Sequence, residues 1–335
     1  MNKVTVIAEA GVNHNGSLQM ALQLVDAAAD AGADVVKFQT FKASKLVSAQ
    51  AKKATYQQAN MPDGDDSQLS MLKKLELSRE DFEQIIGHCN RRGIHFLSTP
   101  FDIESVNMLA RLGVDTWKIP SGEVTNFPLL RKIASMNGDV IMSTGMCSID
   151  EVEAAISVLE RFGTPRSRIT LLHCTTQYPA PLDSVNLLAM DSLRSLGCQA
   201  VGYSDHTAGI LVPVAAAARG AAVIEKHFTL DRNLPGPDHK ASLMPHELQQ
   251  MVLAIRNVET ALGSAEKGVT EAERGNVSVA RKSIVAAKKI AAGEVFTEDN
   301  LTCKRPGDGI SPMLWESVIG RKAPRAFAAD EKISL

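Results

Sequence analysis

At 335 residues with a net charge of −2, the chain carries no sequence-wide basic field of the kind that holds nucleic acid or an anionic membrane. Its five cysteines are scattered without CxxC spacing, which argues against a disulfide framework or a thiolate zinc site and predicts a reducing, cytoplasmic setting. The start Met1-Asn2-Lys3 runs straight into a strand interrupted by Glu9, unlike a signal peptide, and the bland stretch Ala208–Ala218 is shorter than the roughly 20 residues a bilayer span requires.

In chain order, short apolar runs end in polar residues at Val4–Asn13, Asp34–Thr40, Ile94–Asp102, Thr116–Glu123, Val140–Met146, Ile169–Tyr178, Ala200–His206 and Ala222–Phe228. Their Val and Ile content suits strands buried on both faces. Helical segments lie between them, opened by Ser17, Ser78 and Ser148 as N-caps, the last two in capping-box style, with Gly32 placed to end the first. This alternation predicts an α/β chain, a (β/α)8 TIM barrel of about 250 residues with its site at the carboxyl ends of the strands. The connection from Thr40 to Ser78 is long and includes the polar stretch Asn60–Gln68, which reads equally as a lid or specificity loop and as a surface excursion. Beyond the helix Pro245–Leu262 the composition becomes small and polar. The expected organisation is a barrel over 1–265, a linker over 266–279 and a small β-rich module over 280–335, too small for a comfortable core of its own.

The polar strand ends carry the chemistry. Lys37 and Lys118, beside Thr99, Ser121, Ser143 and Ser204, place two ammonium groups and several hydroxyls at one mouth, a pattern suited to an anion rich in acceptor oxygens such as a phosphate ester. His206 and His227 end adjacent strands, about 4.8 Å apart, and could share a metal ion or simply bond within the rim. Two protein ligands would leave positions for water and substrate, and the nitrogen and oxygen surroundings suit Mn²⁺, Co²⁺, Fe²⁺ or Zn²⁺ better than Mg²⁺. Glu9, Glu123 and Glu225 are candidate bases, hydroxyl holders or lysine partners, which the sequence does not rank. Asp238 follows the last strand on a Gly-Pro turn.

The segments GVNHNGS (11–17), VKFQT (36–40), STPFD (98–102), PSGE (120–123), STGM (143–146), LLHCTTQYP (171–179), GYSDHT (202–207), EKHFTLD (225–231), GPDH (236–239) and KRPGDGIS (304–311) together resemble the N-acetylneuraminate synthase family. The resemblance implies a barrel followed by a small antifreeze-like (SAF) domain, in a domain-swapped homodimer whose SAF domain closes over the partner's barrel mouth. It implies condensation of phosphoenolpyruvate with the open aldehyde of an N-acetylated mannosamine-type sugar, giving a nine-carbon 2-keto acid and phosphate by C–O cleavage. By motif, His206 and His227 resemble ligands of Mn²⁺. Lys37, Thr99, Lys118, Ser121, Ser143, Thr176 and Ser204 resemble the phosphoenolpyruvate cradle, and Glu9, Gln39, Tyr178, Asp238 and Arg305 resemble sugar contacts. Glu123 and Glu225 are the candidate catalytic acids or bases. Thr176, where some members have Asn, and Val279, where some have an aromatic residue, lean the resemblance toward the legionaminic acid branch, with a 2,4-diacetamido-2,4,6-trideoxymannose acceptor.

Two other classes remain in play. A Schiff-base aldolase using Lys37 or Lys118 would need no metal. A non-catalytic carbohydrate- or ice-binding protein built around the terminal module would leave the loaded strand ends without purpose.

Overall fold

The computed structural model describes residues 3–61 and 64–335 and divides into two compact units, residues 1–263 and 264–335. Met1 and Asn2 at the expected start, and Pro62 and Asp63 in the long polar connection, lie outside the described residues.

The first unit is the expected barrel. Its strands are β1 (Thr5–Gly11), β2 (Val35–Thr40), β3 (His95–Pro100), β4 (Thr116–Ile119), β5 (Asp139–Ser143), β6 (Ile169–Cys174), β7 (Ala200–Asp205) and β8 (Val223–His227). They pair in parallel in the order β3-β2-β1-β8-β7-β6-β5-β4, and β4 lies against β3 to close the ring. Strand alternation then sorts the side chains. Outward residues such as Val6, Val36, Trp117, Leu171 and Ile224 join the helices in one large core. Inward, Ile7, Leu97, Leu172 and Val223, with Val35 and Ile141 against them, form an apolar layer that fills the barrel.

The helices start and stop where the chain supplies caps. Ser17 accepts from Met20 N, while Ser78 with Asp81 and Ser148 with Glu151 form capping boxes, each cap being worth about 1 kcal/mol. Gly32, at φ 78°, takes the left-handed turn after the first helix.

The long connection is built rather than loose. It holds short helices at Ala43–Leu46, Thr55–Asn60 and Gln68–Lys73, and Phe41, Ala43, Met71, Leu72 and Leu75 bury themselves with Val12 in a separate small core. Asn60 donates from Nδ2 to the Pro237 carbonyl at 2.6 Å, fastening the connection to the turn after β8.

In the second unit, β9 (Ser283–Ala286) pairs antiparallel with β10 (Leu301–Lys304), and Ile284, Ile290, Phe296, Leu301, Val318, Phe327 and Ile333 make a core of its own. The stretch read from composition as linker contains a helix, Glu271–Ala280, with Thr270 and Glu273 as its capping box. Thr270 and Glu273 are therefore a helix start, which the small-residue composition masked.

Candidate active site

One layer above the apolar plug, the inward positions turn polar. Glu9 on β1, Lys37 on β2, Lys118 on β4 and Glu225 on β8 are all buried and meet inside the barrel. Lys37 Nζ lies 3.1 Å from Glu9 Oε2 and 3.4 Å from Glu225 Oε2, and donates to Thr99 Oγ1 at 3.2 Å. Lys118 Nζ donates to Ser143 Oγ at 2.6 Å and to the Ile119 carbonyl at 3.2 Å, and stands 3.8 Å from Glu225 Oε1. Ser204 Oγ donates to that same Glu225 oxygen at 2.9 Å, and Gln39 Nε2 donates to Glu9 Oε1 at 3.1 Å. The set holds two ammonium groups, two carboxylates and a ring of hydroxyls, with Glu9 Oε2 and Glu225 Oε2 lacking a well-aligned hydrogen-bond donor.

Burial and the two lysines divide the acids between them. It pushes the Glu9 carboxyl up to about 7, against the pull of Lys37. Burial acts on Glu225 in the same sense, but Lys118 and Lys37 outweigh it and hold that carboxyl down at about 2. Burial lowers Lys118 to about 8, whereas Glu225 and Glu9 overcome burial at Lys37 and raise it.

A second cluster sits beside this one. Ser121, in the short turn after β4, accepts from Gly145 N at 2.9 Å and lies 3.1 Å from Cys174 Sγ. A side chain at Gly145 would sit 2.6 Å from the Thr176 methyl and 2.8 Å from Cys174 Sγ, so only glycine lets these loops approach. Thr176 is thus brought to the mouth, with its methyl facing Gly145.

His206, just beyond β7, and His227, the last residue of β8, have ring centroids 5.5 Å apart. His206 Nδ1 bonds the Thr175 carbonyl at 2.6 Å, which fixes the tautomer with a lone pair on Nε2, and His227 Nδ1 is buried without a hydrogen-bond partner among the described residues. Burial lowers both pKa values, so the rings are held neutral. The donor set fits a divalent cation. Among the described residues no group of three or more His, Cys, Asp or Glu side chains is arranged to hold one, so the pair would act with water and substrate in the remaining positions.

Tyr178 packs on His206 with centroids 4.1 Å apart, and Tyr56 stacks on Tyr178 at 5.2 Å. Tyr56 comes from the long connection, and nothing periodic in that stretch pointed to it. Asp238, buried beside Tyr56, has its carboxyl raised to about 6 by burial.

Two further expected residues have partners within their own unit. Glu123 accepts from Asn126 Nδ2 at 2.6 Å within its own turn, rather than from the lysines. Arg305 belongs to the second unit, where it is exposed and donates from Nε to the Ala280 carbonyl at 3.0 Å. The five cysteines are free, and no described helix is long and apolar enough to cross a membrane.

Known proteins match this architecture over its whole length. Residues 24–267 match the NeuB family and residues 281–335 the SAF domain. The N,N'-diacetyllegionaminic acid synthase of Campylobacter jejuni is 52% identical, over 99% of both chains. That of Legionella pneumophila is 47% identical, over 97% of this chain and 91% of its own. The crystal structure of N-acetylneuraminic acid (sialic acid) synthetase from Leptospira borgpetersenii, in complex with citrate, superposes with a TM-score of 0.71 at 34% identity, over 82% of this chain and 90% of the other. The barrel with its charged inner layer, joined in one chain to a SAF domain, is a member of the NeuB family.

Proposed function

We propose that the protein is a nonulosonic acid synthase that joins phosphoenolpyruvate to 2,4-diacetamido-2,4,6-trideoxymannose, giving N,N'-diacetyllegionaminate and phosphate. The observation that carries this is the buried Lys37–Lys118 pair with its hydroxyl ring, seated one layer below two neutral imidazoles. The near-full-length similarity to two legionaminic acid synthases supports that acceptor over N-acetylmannosamine.

Lys37 and Lys118 hold the phosphate and carboxylate of phosphoenolpyruvate, with Thr99, Ser121, Ser143 and Thr176 donating hydroxyls and Ser204 lining the cradle while its proton anchors Glu225. The acceptor lies above it, between Tyr178 and the Glu9–Gln39 pair, with Asp238 within reach of its hydroxyls. His206 and His227 would hold a divalent cation, Mn²⁺ in our reading, which when bound would supply Lewis acidity to the acceptor aldehyde. Carbon C3 of phosphoenolpyruvate bonds to the aldehyde carbon as the C2–C3 and aldehyde π bonds open. Water adds at C2; one of its protons completes the new hydroxyl at the former aldehyde oxygen, and the other leaves with phosphate as the C2–O bond breaks and C2 becomes the ketone. Glu225, ionised and fixed by Ser204 and the lysines, stabilises positive charge developing at C2, and Glu123 from the rim manages the incoming water. Packing of Tyr178 on His206 keeps bulk water from the reacting carbons.

We further place the enzyme in the cytoplasm as a homodimer, in which the partner's SAF domain brings its Arg305 to the acceptor's N-acetyl group. The free cysteines fit that compartment.

Lys118, lowered to about 8, is the one feature favouring a Schiff-base aldolase. Its ammonium is already committed to Ser143 and Ile119, and that mechanism leaves the imidazole pair idle. Phosphoenolpyruvate labelled with ¹⁸O at the bridging oxygen decides the chemistry. Our reading expects the label in the released phosphate; label kept in the keto acid, or borohydride trapping of substrate on Lys118, contradicts it.

A further inference from the structure

Strands β7 and β8 carry chemistry on both faces. Inward stand Ser204 and His206 on one and Glu225 and His227 on the other; outward, in the layer between barrel and helices, stand Asp205 and Lys226. The register sets Asp205 directly beside Lys226, and both side chains are 0% exposed. Lys226 Nζ donates to the Asp205 carboxylate and to the Thr207 carbonyl. Thr207 returns two bonds to Asp205, from N at 3.2 Å and from Oγ1 at 3.0 Å. The residues on both sides of His206 are thereby tied to the residue preceding His227.

Stability does not explain this arrangement. The other outward residues of these strands, Val201, Tyr203 and Ile224, are aromatic or aliphatic, and a buried ion pair is commonly matched or bettered by apolar residues of similar volume because two charges must be desolvated. A salt bridge is directional where an apolar contact is not. Fixed by the bonds above, the chain on either side of His206 and just before His227 has little freedom to rotate.

We infer that Asp205, Lys226 and Thr207 form a positioning clamp that sets the separation and aim of the His206 and His227 rings, and so governs how tightly a divalent cation is held between them. The inference rests on the proposed role of the two histidines as its ligands. The clamp touches neither the cation nor the substrate, since it lies on the opposite face of the sheet.

The test is a titration of the full-length protein with Mn²⁺, read from the loss of the free-ion electron paramagnetic resonance signal, without substrate. Wild type should take up one equivalent, and His227→Ala should lose it; a wild type that binds none overturns the ligand role and the clamp with it. Asp205→Leu/Lys226→Met should melt near the wild-type temperature yet bind Mn²⁺ about tenfold or more weakly. Unchanged affinity in that folded double variant overturns the clamp while leaving the ligand role intact. Thr207→Val keeps the side-chain shape and removes one bond to Asp205. It should weaken Mn²⁺ about threefold, within a shift of a few degrees in Tm. If the double variant does not fold, unchanged affinity in Thr207→Val overturns the clamp by itself.

Discussion

Two layers of the same barrel, two residues apart along each strand, do opposite work. Ile7, Val35, Leu97 and Val223 form hydrocarbon; Glu9, Lys37, Thr99 and Glu225, the next inward positions, form a charged cluster. The lower layer gains from burial and tolerates any well-packed apolar set. The upper one gives up stability to desolvation so that charges face a ligand without reorganising. Strand register, rather than overall composition, divides scaffold from site.

Swapping properties between the layers tests this division. Lys118→Met should lower kcat/KM by about 10²–10³ while lowering the melting temperature by only a few degrees, because Lys37 remains 3.4 Å from Glu225 to offset its buried charge. A collapse in stability with kcat/KM retained would reverse the roles of the layers. In the plug, Leu172→Ala should cost about 2–5 kcal/mol in denaturant unfolding, and the folded fraction should keep its KM for phosphoenolpyruvate. A selective rise in that KM would mean the layers are not separable.

Tyr56→Ala probes the long connection between β2 and β3. Losing the ring stacked on Tyr178 should raise the acceptor KM about tenfold and leave the phosphoenolpyruvate KM nearly unchanged. Equal effects on both would move Tyr56 to the phosphate end.

The smallest effect is a pH profile. Folded Glu9 keeps its proton up to about 7, whereas the unfolded carboxyl loses it near 4.5. Measured against Glu9→Gln, wild-type stability should therefore fall as pH rises from about 4.5 to about 7 and run level above that. A difference that is flat over this window would mean Glu9 is ionised throughout.

Much of this was legible in the sequence, for reasons particular residues make plain. The caps at Ser78 and Ser148 bond to their own turns, so local chemistry announced those helices. The strand-end lysines and histidines stood out because polar residues on the inward parity of a barrel strand meet at its carboxyl mouth. Tyr56 did not stand out: it reaches the site through tertiary packing of an aperiodic connection, which leaves no spacing to read. Asp205 and Lys226 did leave a signal, two opposite charges on the outward parity of strands buried on both faces. Attention to the inward residues passed over it. The partner of Glu123 left no spacing to read either: the chain turns after Ile119, and its carboxylate accepts from Asn126 at the rim.

The most direct test of the central claim is phosphate release from phosphoenolpyruvate with Mn²⁺, with 2,4-diacetamido-2,4,6-trideoxymannose or N-acetylmannosamine as acceptor. The account predicts release that requires an acceptor and a kcat/KM clearly higher for the diacetamido sugar. Preference for N-acetylmannosamine would contradict the proposed acceptor, and no release with either sugar would contradict the proposed reaction.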